Sequence, residues 1–196
     1  MFYLVTILFI IYFMFDLNYF FRLLLTIISA KCFKNKVKLT DETSIYGICI
    51  TQDLDAVCSH MNNARYLREL DFARFDNFIQ TNMFDTMRKK SITAVLSGSC
   101  TRYRRPVPFL MVYKILTKLI HLDEKHLYYE HKFVNPRNNF IHTVIFTKTT
   151  PIGVKVPLSE LIKQVETEIH LPEITKDFQL WLESMEQSSQ LLRKKD

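Results

Sequence analysis

The apolar residues of this chain change their spacing three times. Residues 1–15 (MFYLVTILFIIYFMF) are apolar throughout, with no charge and one aliphatic hydroxyl, Thr6. After Asp16 the run LNYFFRLLLTIISA is apolar again, broken by Arg22 and a few small polar groups, and Lys31, Lys34, Lys36 and Lys38 follow it. Shorter periods then take over. Ser44–Thr51 (SIYGICIT) is rich in β-formers and predicts a first strand. QDLDAVCSHMNN is polar and irregular and ends in asparagines, which cap helices well. From Ala64 onward Tyr66, Leu67, Leu70, Ala73 and Phe78 mark one helical stripe, with Arg65, Arg68, Glu69, Asp71 and Asp76 mostly off it. No breaker precedes Thr81, so a long helix is expected there.

Past Arg88-Lys89-Lys90 the period falls to two. Ile92–Arg104 and Phe109–Ile120 are candidate strands. A third places Leu127, Tyr129, His131 and Phe133 on one face, and a fourth does so with Phe140, His142, Val144 and Phe146. The short connections at 122–125 and 135–139 predict antiparallel hairpins. Pro151 and Pro157 close the sheet region, and VPLSELIKQV and LPEITKDFQLWLESM read as terminal helices. One strand, one long helix and a strand meander make an α+β arrangement whose sheet can wrap the helix. The expected organisation is an apolar membrane anchor over 1–30, a basic juxtamembrane linker over 31–43, the domain over 44–156 and C-terminal helices over 157–196.

A helix over residues 1–15 would reach roughly 22 Å, short of a ~30 Å hydrocarbon core. Two arrangements fit: a membrane helix from Met1 to about Phe21 with Asp16 near the headgroups, or an anchor over 1–15 followed by an interfacial helix. Cleavage as a signal peptide, giving a secreted protein, fits less well. The start of the chain has no base, and Ser29-Ala30 lies far past the first apolar block. The lysines at 31–38 hold the rest of the chain on the cytoplasmic side. The expected location is therefore the endoplasmic reticulum or another endomembrane, with the domain facing the cytosol.

Apolar residues are 48% of the chain and charged ones 23%, enough for a sizeable core. The net charge of +6 is uneven: residues 1–40 hold five bases and one acid, while residues 41–196 hold 21 bases and 19 acids. A near-neutral domain lacks the basic face that a nucleic acid requires, so none is expected as a partner. The three glycines form no cluster, which excludes P-loop, dinucleotide-binding and nucleophile-elbow motifs. The four cysteines are far apart, with no C-x-x-C, and argue for a reducing compartment. The histidines fit no metal spacing, and neither metal nor cofactor is expected.

The chemistry-bearing stretch is Asp53-Leu54-Asp55-Ala56-Val57-Cys58-Ser59-His60-Met61-Asn62-Asn63-Ala64-Arg65-Tyr66. Free N–H groups at a helix start polarise a carbonyl or bind an anion. A carboxylate beside them can attack that carbonyl or activate a water, which together are the parts for acyl transfer. D-x-D, a short gap, then H-M-N-N-A-x-Y entering a helix resembles the hotdog-fold thioesterases of the 4-hydroxybenzoyl-CoA and acyl-ACP type. ARYLRELDFAR, SCTRYRR and FVNPRNNFI bring the likeness closer to the thioesterase superfamily member six proteins.

That resemblance implies a hotdog fold, a homodimer with sites at the subunit interface, and acyl-CoA or a similar acyl thioester as ligand. It implies Asp55 as base or nucleophile and His60 as its partner, with Met61, Asn62 and Asn63 on the substrate side. The chain departs from the pattern twice: four residues separate Asp55 from His60 where three are usual, and Val57 stands where acyl-ACP thioesterases carry an asparagine. The additional residue is either absorbed as a bulge or turns Asp55 away, and the alternative function is a non-catalytic acyl-binding or scaffold protein. Other readings stay open for single residues. Asp55 can instead cap the helix or pair with Arg65, and Asn62 and Asn63 can serve only as caps. Cys58 reads as a small packing residue. Arg104 and Arg105, with Arg102 and Tyr103, suit coenzyme A phosphates, and equally suit a solvated strand end. The stripe of Phe72, Phe75 and Phe78 reads as core or dimer surface.

Overall fold

The computed structural model describes residues 14–154 and 157–193, together with Tyr3, Val5, Thr6, Phe9 and Tyr12. Helix α1 (Leu17–Cys32) opens at Asp16, whose carboxylate accepts the Tyr19 N–H at 3.0 Å. Strand β1 (Thr43–Ile48) follows, then a 3-10 turn at Thr51–Asp53 and the long helix α2 (Asn63–Gln80). A short helix α3 (Met83–Lys89) precedes four strands, β2 (Thr93–Tyr103), β3 (Val112–Leu122), β4 (Leu127–Val134) and β5 (Ile141–Ile152). Helices α4 (Leu158–Lys163) and α5 (Lys176–Leu192) end the described chain.

The strands form one antiparallel sheet in the order β1-β3-β4-β5-β2. Its inner face wraps α2, as the alternation along β4 predicts: Leu127, Tyr129, His131 and Phe133 are all fully buried. Tyr66, Leu70 and Ala73 of α2 pack on Tyr113, Ile115, Phe133 and Ile145. Further along, Phe78, Met83 and Met87 meet Leu119, Leu127 and Tyr129, closed from the end by Leu158 and Leu161. His131 sits mid-sheet with its ring nitrogens 3.0 Å from the Thr117 and Thr147 hydroxyls. Burial holds it neutral, its pKa lowered to about 3. Phe178 and Trp181 of α5 cover Tyr128 and Phe146 on the outer face. Among the described residues strand β2 pairs only with β5, and its other edge has no neighbouring strand.

The expected N-terminal membrane helix is not found among the described residues, where no helix is long and apolar enough to cross a membrane. Much of the expected anchor (residues 1, 2, 4, 7, 8, 10, 11 and 13) lies outside the described residues. The chain bends at Phe15, and α1 starts afresh at Leu17 and lies along α2. The cause is polar. Arg22 gives both guanidinium nitrogens to Glu69 at 2.8 and 2.7 Å, and Tyr19 donates to Asp71 at 3.1 Å. Past the helix, Lys34 reaches Asp76 at 2.6 Å. Glu69 and Asp76 are each 1% exposed, so residues 17–34 supply the counter-charges of the central helix.

Candidate functional site

The two carboxylates of D-x-D do different work. Asp53 is fully buried, takes Arg65 Nε and Nη2 at 3.0 and 2.7 Å on one oxygen and the Ile50 N–H at 3.0 Å on the other. It thereby ties the loop to the first turn of α2, and Arg65 is not available to Asp55. Asp55 begins a tight turn closed by the Cys58 N–H on its carbonyl at 3.0 Å, with Cys58 at φ 55°. Past this turn the Ser59 and His60 N–H groups come back to Asp55 Oδ1 at 3.0 and 3.3 Å, and His60 Nδ1 lies 3.7 Å from Oδ2. The Ser59 N–H, then the His60 N–H and ring, hold the carboxyl below the usual carboxylate range against a burial effect of opposite sign.

His60 Nδ1 is also 2.6 Å from Ser59 Oγ, a neighbour that no sequence pattern singles out. Asn62 is the N-cap of α2, its side chain accepting the Ala64 N–H at 2.9 Å. Asn63 begins the helix, where the N–H has no intrahelical acceptor. A shallow pocket of about 200 Å³ lies at this end of α2, lined by His60, Asn63, Tyr103, Arg104, Arg105 and Pro106 among others. Tyr103 donates to the Asn63 carbonyl at 3.0 Å, which fixes the end of β2 to the start of α2. Arg104 and Arg105 lie over the Phe140 ring, 5.0 and 4.6 Å from its centroid, and Arg104 Nη1 donates to the Ile141 carbonyl at 3.0 Å.

Of the sequence-predicted residues, His60, Asn63, Arg104 and Arg105 thus share one pocket, and Asp55 adjoins it through His60. Asn62 stands beside it as the cap. Met61 is not brought in: it is fully buried in the core beneath α2. Among the described residues no group of histidine, cysteine and carboxylate side chains is arranged to hold a metal ion.

A second, deeper pocket is not legible in the sequence. It holds about 290 Å³ between the C-terminal half of α2, α3 and the start of β2, with Phe75, Phe78, Phe84, Met87, Ile92 and Ala94 as its apolar wall. The ion pair Arg74–Asp71 and Thr149 also line it, and the buried Thr149 hydroxyl has no hydrogen-bond partner among the described residues. The phenylalanine spacing along α2 is its trace in the sequence, but a stripe at helical period does not distinguish a cavity wall from a filled core.

Residues 49–182 match the profile of the Thioesterase-like superfamily. A Drosophila melanogaster relative, Protein THEM6, is 42% identical over 188 residues, 96% of each chain. Among solved structures, the probable thioesterase YbaW of Escherichia coli superposes with a TM-score of 0.56 at 23% identity, covering 63% of this chain and 94% of its own. A Staphylococcus aureus protein solved in complex with CoA superposes with a TM-score of 0.55 at 15% identity, covering 74% and 96%. The sheet wrapped on α2 is the hotdog fold, and this chain belongs to the thioesterase-like hotdog superfamily.

Proposed function

We propose that this chain hydrolyses acyl-CoA or a similar acyl thioester, as a homodimer tethered to the endoplasmic reticulum or another endomembrane with the domain facing the cytosol. The observation that carries the chemistry is the turn that returns Asp55 to His60 at the start of α2, with the carboxyl held ionised at neutral pH. Asp55 takes a proton from a water whose oxygen bonds to the thioester carbonyl carbon. The Asn63 N–H meets the charge that develops on the carbonyl oxygen. The carbon–sulfur bond then breaks, and the proton ends on the departing sulfur. In the variant with Asp55 as nucleophile, an anhydride forms first and water cleaves it. Arg104 and Arg105, braced on Phe140, suit the phosphates of coenzyme A.

The open edge of β2 supports the dimer reading, since an unpaired edge of 11 residues is a template for a second strand. Two-fold antiparallel pairing sets the Tyr103 end of one β2 beside the Thr93 end of the other. Tyr103 belongs to the Asp55 end of α2 and Thr93 to the apolar pocket. The dimer therefore joins the chemistry of one protomer to the pocket of its partner, which takes the acyl chain. Binding without hydrolysis is the second reading. It is favoured by Val57, 80% exposed at the position where acyl-ACP thioesterases carry an asparagine.

A screen of acyl-CoA chain lengths on the full chain tests the proposal. Asp55→Asn should lower kcat by roughly 100-fold or more with little change in KM, as expected for a lost acid–base group. Binding of acyl-CoA without turnover of any chain length overturns hydrolysis and leaves the binding reading.

A further inference from the structure

Helix α1 is amphipathic in the inverse sense for a helix that faces water. Every exposed position from Leu17 to Ile28 is apolar: Leu17, Phe20, Phe21, Leu24, Leu25 and Ile28, each 43–59% exposed. Their spacing makes one continuous stripe. The polar residues Asn18, Tyr19, Arg22 and Thr26 fall on the half-buried side, against the domain. The helix is not free to roll. Arg22 is bound through both nitrogens to Glu69, which also accepts the Tyr113 hydroxyl at 2.7 Å. Turning the stripe inward would strand that buried carboxylate, so the fold commits α1 to presenting its apolar side outward.

The surroundings of the stripe identify what covers it. Toward the chain start, Tyr3, Val5, Phe9, Tyr12, Met14 and Phe15 are all 59% exposed or more, and residues 1–15 carry no charge. Toward the other end, Phe33 and the bases Lys31, Lys36 and Lys38 are exposed. Asp16 is the only acid among the first 40 residues, and Arg68 binds it. An apolar stripe that carries no acid and is flanked by the exposed Lys31, Lys36 and Lys38, with Asp41 and Glu42 following beyond them, matches a lipid surface carrying negative headgroups.

We propose that α1 lies in the plane of an anionic bilayer, its Phe20, Phe21, Leu24 and Leu25 side chains sunk into the boundary between headgroups and acyl chains. Since α1 is clamped along α2, the bilayer also fixes the orientation of the central helix, about 10 Å above the docked one. The Asp55 end of α2 is then held at the surface where amphiphilic thioesters collect. This inference deepens the tethering part of the reading above and is independent of whether thioesters are hydrolysed.

The test uses the full chain and vesicles of phosphatidylcholine and phosphatidylserine at three to one. The indole introduced by Phe21→Trp should be strongly quenched by brominated phosphatidylcholine, while Trp181, on the outer sheet face, supplies the background in the native chain. Phe21→Gln with Leu24→Gln should weaken vesicle binding by roughly tenfold or more, as expected for two apolar side chains kept out of lipid. Its melting temperature should stay near that of the native chain. Three results overturn the proposal: vesicles that bind the Phe21→Trp chain but leave the introduced indole unquenched, vesicles that fail to bind the chain, or a double variant that melts early because its stripe was packed inside. A double variant that loses a lipid-free oligomer while binding vesicles as before assigns the face to a second copy and also overturns it.

Discussion

The two ends of α2 differ in almost every physical respect. At the N-terminal end a shallow pocket of about 200 Å³ collects an imidazole and two guanidinium groups beside the helix N–H groups, with the Asp55 carboxyl adjoining through His60. At the C-terminal end a pocket of about 290 Å³ is walled by phenylalanine, methionine and isoleucine. Asn63 and Phe75 are twelve residues apart, or roughly 18 Å along a helix. One end gathers polar and charged groups, while the other offers an apolar wall edged by Asp71, Arg74 and Thr149. A helix imposes this division, because its free donors lie at one terminus while its flank is available for apolar burial. On the proposed reading the site draws both properties from two chains joined at the β2 edge.

The largest expected effect comes from breaking the middle from which both ends hang. Arg22→Ala leaves Glu69 buried with Tyr113 as its remaining partner, and should cost roughly 3 kcal/mol in urea unfolding. Arg22→Met with Glu69→Gln should recover much of that loss, since no buried charge is then unpaired. If Arg22→Ala unfolds like the native chain, α1 is not part of the folded unit.

Ala94→Phe sharpens the contrast between the ends, because it fills the apolar pocket and leaves the Asp55 turn untouched. The rate for long acyl chains should fall roughly tenfold while short-chain substrates keep theirs, as expected when a few buried methylenes are lost. Equal losses for all chain lengths would assign the acyl chain elsewhere.

A further expected effect is a pH dependence of the sheet between the two ends. His131 is neutral in the fold with a pKa lowered to about 3, whereas an unfolded histidine titrates near 6.5. Below about pH 6.5 the unfolded chain binds a proton that the folded chain does not, so stability falls with pH, by about 1.4 kcal/mol per unit. His126, also lowered by burial, adds to it in the same sense. His131→Gln should flatten most of the slope between about pH 6.5 and 5, read by urea unfolding at fixed salt. An unchanged slope would mean that His131 is protonated inside the sheet.

The sheet and α2 are legible in the sequence because each buries one face, so their periods of two and 3.6 are written in the residue pattern. The start of α2 is legible to within a residue, since Asn62 is both a cap and a visible composition change. Short α3 is not, because seven residues after a left-handed Asn82 offer too little pattern. Hydropathy assigns α1 to an anchor because it counts apolar residues without saying which way they face. The inverted packing of α1 is set by Glu69 and Asp76, whose burial no local pattern reveals. Likewise D-x-D leaves open which carboxylate takes Arg65, and only the fold assigns it to Asp53 and leaves Asp55 to His60. The apolar pocket is illegible for a different reason, being the space left between α2, α3 and β2.

Subunit complementation tests the joining of the two ends most directly. Asp55→Asn and Ala94→Phe chains are each prepared, unfolded together, refolded as a mixture and assayed with a long-chain acyl-CoA. If Asp55 of one protomer serves the pocket of its partner, half of the dimers are mixed and each carries one intact site, so about a quarter of native activity returns. If each site lies within a single chain, every protomer in the mixture is defective and activity stays at the level of the separate variants.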